Sequence, residues 1–266
     1  LAEGAAVSIA EKSRTPRHKV CGEFLSPGAP EVLEALGVWR EIMRLGPSPI
    51  RTFILRAGSV ERRYTLPEYG FGISRFHFDR VLYEQALRRG ATAMTERVPG
   101  AATVIATGRR AVQPRGSRLF GFKAHFSGPA RDAVELFFFP GWYVGVSPIE
   151  GGLTNVCGLA PEGLLAAKRF AFDDLVGDAA PLAERLRPLC RTMSWMTVGP
   201  VVFAPARGVA SDPYGYPAGD ALSFVDPFTG TGILNALLTG GMAGAAAARG
   251  TTPAAYLARC RRSLDG

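Results

Sequence analysis

GDALSFVDPFTGTGI, residues 219–233, is the stretch whose reading decides the fold. Asp220 ends a short approach. Pro227 and a glycine-rich turn then open a helix at about Gly232. Bare backbone N–H groups at a helix start stabilise negative charge. Asp220, just upstream, suits sugar or sugar-alcohol hydroxyls, which it would accept directly or through water. The plainer reading is a Gly/Pro loop ahead of a packing helix.

Working outward, Gly4 to Glu11 reads as a short apolar strand that ends in a carboxylate. A polar, basic loop follows. Pro30 to Leu45 has helical spacing with a break near Gly37. Ile50 to Leu66 is strand-like, with a turn at Ala57-Gly58-Ser59. Phe78 to Arg89 reads as a helix that Gly90 ends. Ala101 to Thr107 is a short strand before Gly108. From Leu119 to Leu159 the pattern becomes all-β, with four strand-length runs. Leu164 to Leu189 is helical and charged, and Val198 to Ala206 returns as a strand. This order predicts an α/β domain interrupted by an antiparallel sheet.

The chain has 266 residues, room for one large domain or two packed ones. At 47% hydrophobic and 20% charged, it is composed for a folded core rather than for disorder. No apolar run reaches the ~20 residues of a membrane span. No signal peptide is expected, because the first residues hold Glu3 and no basic region. The chain opens on Leu1, so the start of the protein is expected upstream. The net charge is +8, and of 31 basic residues only Lys12, Lys19, Lys123 and Lys168 are lysines. The arginines are scattered, with no basic run and no aromatic interleaving, which argues against a nucleic-acid partner. An anionic ligand or an acidic membrane surface also suits this charge. Cys21, Cys157, Cys190 and Cys260 form no CxxC pair, and no His/Cys cluster has zinc spacing, so no metal is expected. Reduced thiols in a cytoplasmic protein, with peripheral membrane contact left open, are the expectation. No GxSxG, HExxH or Walker loop is present.

Residues 219–233 resemble the C-terminal flavin motif of FAD-dependent oxidoreductases with the p-hydroxybenzoate-hydroxylase fold. EKSRTPRHKVCGEFLSP (11–27) resembles a loop of the geranylgeranyl-reductase-like group in that superfamily. GISRFHFDRVLYEQALRRGA (72–91), ATVIATGRRA (102–111) and FFFPGWYVGVSPIEGGLTNV (137–156) resemble further motifs, in the same order. The resemblance implies a three-layer, Rossmann-like FAD-binding domain built from residues 1–49, 70–116 and 205–266. Residues 50–69 and 117–204 would form the substrate domain.

By that resemblance Glu11 binds the adenosine ribose, with Lys12, Arg17 and Lys19 along the cofactor loop. Arg75 contacts the ribityl or diphosphate region, and Gly108 lies near the adenosine half. Asp220 binds the diphosphate or ribityl chain. Pro227, Gly230, Thr231, Gly232 and Ile233 line the isoalloxazine, whose reduced form carries negative charge that a helix start suits. Cys21 and Gly22 approach the ring from the substrate side. Cys21 is the candidate catalytic residue, against the plainer reading of a small buried hydrophobe. The implied chemistry is hydride transfer from a transient NAD(P)H donor to FAD, then reduction or hydroxylation of an apolar substrate: isoprenoid, polyketide or aromatic. The phenylalanines of the Leu119–Leu159 meander are divided between the sheet core and the wall of that pocket.

Two features depart from the family pattern. No GxGxxG turn precedes Glu11, and the interval between Gly90 and Ala101 is short. The nucleotide-binding part is therefore expected to lack its first strand and an internal piece. A non-catalytic remnant that does not retain FAD stays an alternative, as does a basic nucleic-acid-binding module. Oligomeric state is not legible.

Overall fold

The computed structural model describes residues 4–11, 16–95, 103–109, 118–203 and 215–264. Lys12 lies outside them. In chain order the first half holds β1 (Ser8–Ala10), β2 (Phe24–Leu25), α1 (Ala29–Ala35), α2 (Trp39–Arg44), β3 (Ser48–Ala57), β4 (Val60–Gly72) and α3 (Arg75–Arg88). β5 (Thr92–Met94) and β6 (Thr103–Ile105) follow, then the meander β7 (Leu119–Ser127), β8 (Ala133–Phe139), β9 (Trp142–Pro148) and β10 (Leu153–Pro161). Next come α4 (Glu162–Ala167), α5 (Phe172–Gly177), α6 (Ala180–Leu186), β11 (Cys190–Arg191) and β12 (Met196–Val201). β13 (Gly215–Pro217), α7 (Gly232–Ala248) and α8 (Pro253–Leu264) close the chain.

The chain is α/β. Nine strands form one sheet in the order β11-β7-β10-β9-β8-β3-β4-β2, with β12 also paired to β7. β3 and β8 run parallel, and the other ladders of this sheet are antiparallel. Two small parallel pairs stand apart from it, β1 with β5 and β6 with β13. No helix among the described residues is long and apolar enough to cross a membrane.

Residues alternate across a strand, and β8 shows the consequence. Phe137 joins Phe122, Phe126, Leu165, Phe172 and Leu182 in the core between the sheet and α4–α6. Phe138 faces the other way, with Phe24, Phe53 and Leu55 around Ile50, Val134 and Leu136. Full burial of each such side chain stabilises by roughly 1.5–3 kcal/mol. Smaller clusters lie under α1–α3 and between β13, α7 and α8.

The predicted break near Gly37 is the boundary between α1 and α2, where Gly37 has φ 73°. The 164–189 segment is three short helices rather than one. Arg169 and Phe170 both take positive φ after α4, and Pro181 starts α6 afresh. Gly72 lets the end of β4 pass against β9: a Cβ there would stand 1.8 Å from the Pro148 carbonyl oxygen.

Candidate functional site

The loop ahead of β2 is fastened to the large sheet by polar side chains. The Lys19 carbonyl accepts from Lys123 Nζ at 3.0 Å, and the Cys21 carbonyl from Asn155 Nδ2 at 3.1 Å. The Gly22 carbonyl accepts from Ser147 Oγ at 3.3 Å. Glu23, with φ 56°, turns its carboxylate inward. Its Oε1 accepts from Lys123 Nζ at 2.5 Å and from the Arg75 amide at 2.7 Å, and its Oε2 meets His125 Nε2 at 2.7 Å. Glu23 and Lys123 are completely buried. An unpaired buried charge is costly, and here each charge is paired and hydrogen-bonded. His18 lies edge-on to His125, with its Nδ1 buried and without a hydrogen bond. Burial, reinforced by His125 and Lys123, lowers its pKa.

The N-terminus of α3 is capped from both sides of this cluster. Ser74 Oγ accepts from the His77 amide, and Glu150 Oε2 accepts from the Ser74 amide at 2.7 Å. Burial acts to raise the Glu150 pKa, but the bonds from Ser74 and His77 outweigh it and hold the carboxyl low. Arg75 clasps Asp79 with two bonds of 2.7 and 2.9 Å, and Lys19 meets the same carboxylate at 2.7 Å. Burial opposes the Arg75 charge, but the Cys21 sulfur and Asp79 raise its pKa overall.

Across from Arg75, the chain leaves β13 through a 3-10 turn, Gly219–Ala221. Burial raises the Asp220 pKa, and the Arg109 and Arg75 guanidiniums pull it down. Arg109, one residue past Gly108, lies over the Phe224 ring at 5.3 Å. The turn Pro227–Thr229 is capped by Asp226, whose carboxylate accepts from the Phe228 amide. The same Oδ1 accepts the Tyr143 hydroxyl at 2.8 Å, which ties the turn to β9. Burial, then the Asp226 bond, raises the Tyr143 pKa, so the phenol stays a donor. Gly230 takes φ 70°, the left-handed conformation that suits glycine. Thr231 is the N-cap of α7, and its hydroxyl bonds the Thr229 and Asn235 side chains rather than the first-turn amides, which stay available as donors. The Gly232 Cβ position is open, as is that of Gly22.

The structure thus gathers Lys19, Cys21, Gly22 and Arg75 into one contiguous group, with Asp220 in electrostatic reach of Arg75. Pro227, Gly230, Thr231, Gly232 and Ile233 form one continuous turn and helix start. Glu11 is exposed just past β1, Arg17 is exposed, and Gly108 follows β6 with φ 78°. Sequence reasoning missed Glu23, Lys123, His125, Arg109 and Tyr143 as site components. One signal was available: Lys123 and His125 share a face of an otherwise apolar strand, FGFKAHF. His18, Glu23 and His125 bring donor atoms within 4.8 Å of one another. The Lys123 ammonium already neutralises Glu23, so a metal cation there would face a buried positive charge.

No protein-family model matches the chain, and no curated protein matches it. Solved structures do match in fold. The flavin-dependent brominase Bmp2 is 17% identical over 100% of this chain and 79% of its own, with a TM-score of 0.79. A flavoprotein/dehydrogenase from Cytophaga hutchinsonii is 17% identical, over 94% and 74%, with a TM-score of 0.78. PqsL, a probable FAD-dependent monooxygenase from Pseudomonas aeruginosa, is 16% identical, over 98% and 85%, with a TM-score of 0.73. The chain therefore shares its fold with these flavin-dependent brominase, flavoprotein and monooxygenase structures.

Proposed function

We propose that this chain is an FAD-dependent oxidoreductase that reduces or hydroxylates an apolar substrate, with NAD(P)H as a transient donor. The observation that carries the reading is the capped turn of Asp226 to Gly230 leading into the uncapped amides of α7, on a fold that flavoproteins share. The residues present fit the flavin end of the cofactor. Gly232 and Gly22 leave open the space a Cβ would fill, and the first-turn amides of α7 are donors without a side-chain cap.

In this reading the α7 amides would hold the pyrimidine edge of the ring. Asp220 would accept from the ribityl chain, with Arg75 and Arg109 balancing diphosphate charge. Glu11 would accept from the adenosine ribose, with Arg17 and Lys19 along its loop. A bound flavin would supply hydride and electron transfer, for which the protein provides orientation, charge and exclusion of water. Phe24, Phe53, Leu55 and Phe138 would form the apolar wall for the substrate. Cys21 would face the reacting region beside Arg75. The resemblance of KVCGEFLSP (19–27) leans this reading toward the geranylgeranyl-reductase-like group rather than the hydroxylating ones.

One observation favours a second reading. Among the described residues β1–β5 and β6–β13 are separate two-stranded sheets. A remnant that folds without retaining FAD would have such a nucleotide side.

Purified protein decides between them. The enzyme reading expects yellow protein, bleached by dithionite or NAD(P)H, and Asp220→Ala should lose the flavin while staying folded. Colourless protein that FAD does not stabilise against heat overturns it. Reduction without stoichiometric oxygen uptake marks a reductase, and one oxygen consumed per product marks a hydroxylase.

A further inference from the structure

Beside the Asp226 turn lies a cavity of about 290 Å³. Phe138, Trp142, Tyr143 and Phe228 supply aromatic rings to its lining, and among the described residues Asp226 is the one charged lining side chain. Phe228 stands edge-on to Phe138 at 6.0 Å and to Tyr143 at 6.2 Å. Phe228 is 43% exposed, although the Asp226 cap fixes its backbone. An exposed aromatic residue beside three half-buried rings makes the lining of this concavity apolar surface that a ligand can cover.

The polar groups of this cavity are all spoken for in one direction. Tyr143 spends its proton on Asp226 Oδ1, which also takes the Phe228 amide at 3.3 Å. The other carboxylate oxygen accepts no bond from the described residues. What remains for a ligand is chiefly the acceptor capacity of the carboxylate, since the Phe228 amide also faces the phenol oxygen. Ring faces carry negative quadrupole charge and attract cations. In a chain of net charge +8, the described lining of this concavity therefore offers a carboxylate and aromatic rings and no cation.

We infer that the cavity between β9 and the Asp226–Phe228 turn is a binding site for an organic ammonium group carried on an apolar body. The site selects donors and cations and repels carboxylates. It goes beyond the flavin reading and does not depend on it, because none of its contacts requires the cofactor.

The test titrates full-length protein with three probes of one shape: 2-phenylethylammonium, 2-phenylethanol and phenylacetate. Tryptophan fluorescence and calorimetry read the binding. The ammonium should bind at least about tenfold more tightly than the alcohol, with phenylacetate weakest. Asp226→Asn should remove the preference of ammonium over alcohol, and Trp142→Phe should abolish most of the fluorescence change. Phe228→Leu, at an exposed ring, keeps the fold in hand should Asp226→Asn not fold, and should lower the same preference about threefold. Equal binding of the three probes, no binding of the ammonium, or an unchanged preference in these variants overturns the inference. So does an undiminished fluorescence change in Trp142→Phe. Visible absorbance of the same preparation reports flavin separately. Colourless protein that ranks the ammonium first would sink the flavin reading alone, and yellow protein that ranks it last would sink this one alone.

Discussion

The nine-stranded sheet and the two small parallel pairs are built on different terms. In the large sheet, β7–β10 bury residues on both faces and lean on α4–α6 through an aromatic core. On the other side, β1–β5 and β6–β13 each have three residue pairs in register and no third strand among the described residues. A two-stranded pair has little independent stability and depends on its packing. The β6–β13 pair rests on α7 and α8 through Tyr216, Tyr256 and Leu257. The difference teaches where rigidity resides: the large sheet carries its own core, whereas the small pairs depend on what packs against them.

Native-state hydrogen exchange should break or sustain this contrast most visibly. Amides of β8 and β9 should exchange through global unfolding, and those of β6 and β13 through local opening. The gap should be on the order of 5 kcal/mol. Uniform protection would contradict it, and added FAD should narrow the gap if the cofactor binds.

Next in size are two changes in the large sheet. Lys123→Met leaves the buried Glu23 charge unpaired and should cost about 3–5 kcal/mol in denaturant unfolding. Phe122→Ala, in the core against Phe172, should cost a similar ~3–5 kcal/mol. Pairing Lys123→Met with Glu23→Gln should recover much of the first loss. A double variant no better than the single would show that the charge pairing is not what matters. On the other side Leu257→Ala should cost about 2–3 kcal/mol and leave the β7–β10 amides protected. Loss of protection in both halves together would mean that they unfold as one unit.

Smallest is the acid limb. Glu150 and Asp79 have carboxyl pKa values below the ordinary range, although burial opposes this, because donors from Ser74 and His77, and from Arg75 and Lys19, face them. A folded pKa below the unfolded one means the unfolded chain binds the proton more readily. The stabilisation is therefore complete above the unfolded carboxylate range and is lost as pH falls through the folded values. Glu150→Gln should cost about 1 kcal/mol near neutrality and flatten the stability curve in acid. An unaltered slope would assign the acid sensitivity elsewhere.

Much of the fold was legible because it was written in local chemistry. Gly58 marks the turn between β3 and β4, Gly90 ends α3 at φ 93°, and the meander shows its strands as separate apolar runs. The 164–189 region was legible as helical but not as three helices, since neither Arg169 nor Phe170 is a residue type that announces the positive φ both take. β5 was missed, because three residues of Thr-Ala-Met carry no periodicity to read.

By itself the sequence determined the α/β order, the turn from Asp226 to Gly232 and the helix that follows, because caps, prolines and glycines act on their immediate neighbours. Only the tertiary structure decided that Glu23 meets Lys123 and His125, that Tyr143 holds Asp226, and which phenylalanine of β8 faces which side. Those partners are 83 to 102 residues apart in the chain. No local propensity carries such a pairing; it exists because folding removes water from both groups at once and leaves each the other's best partner.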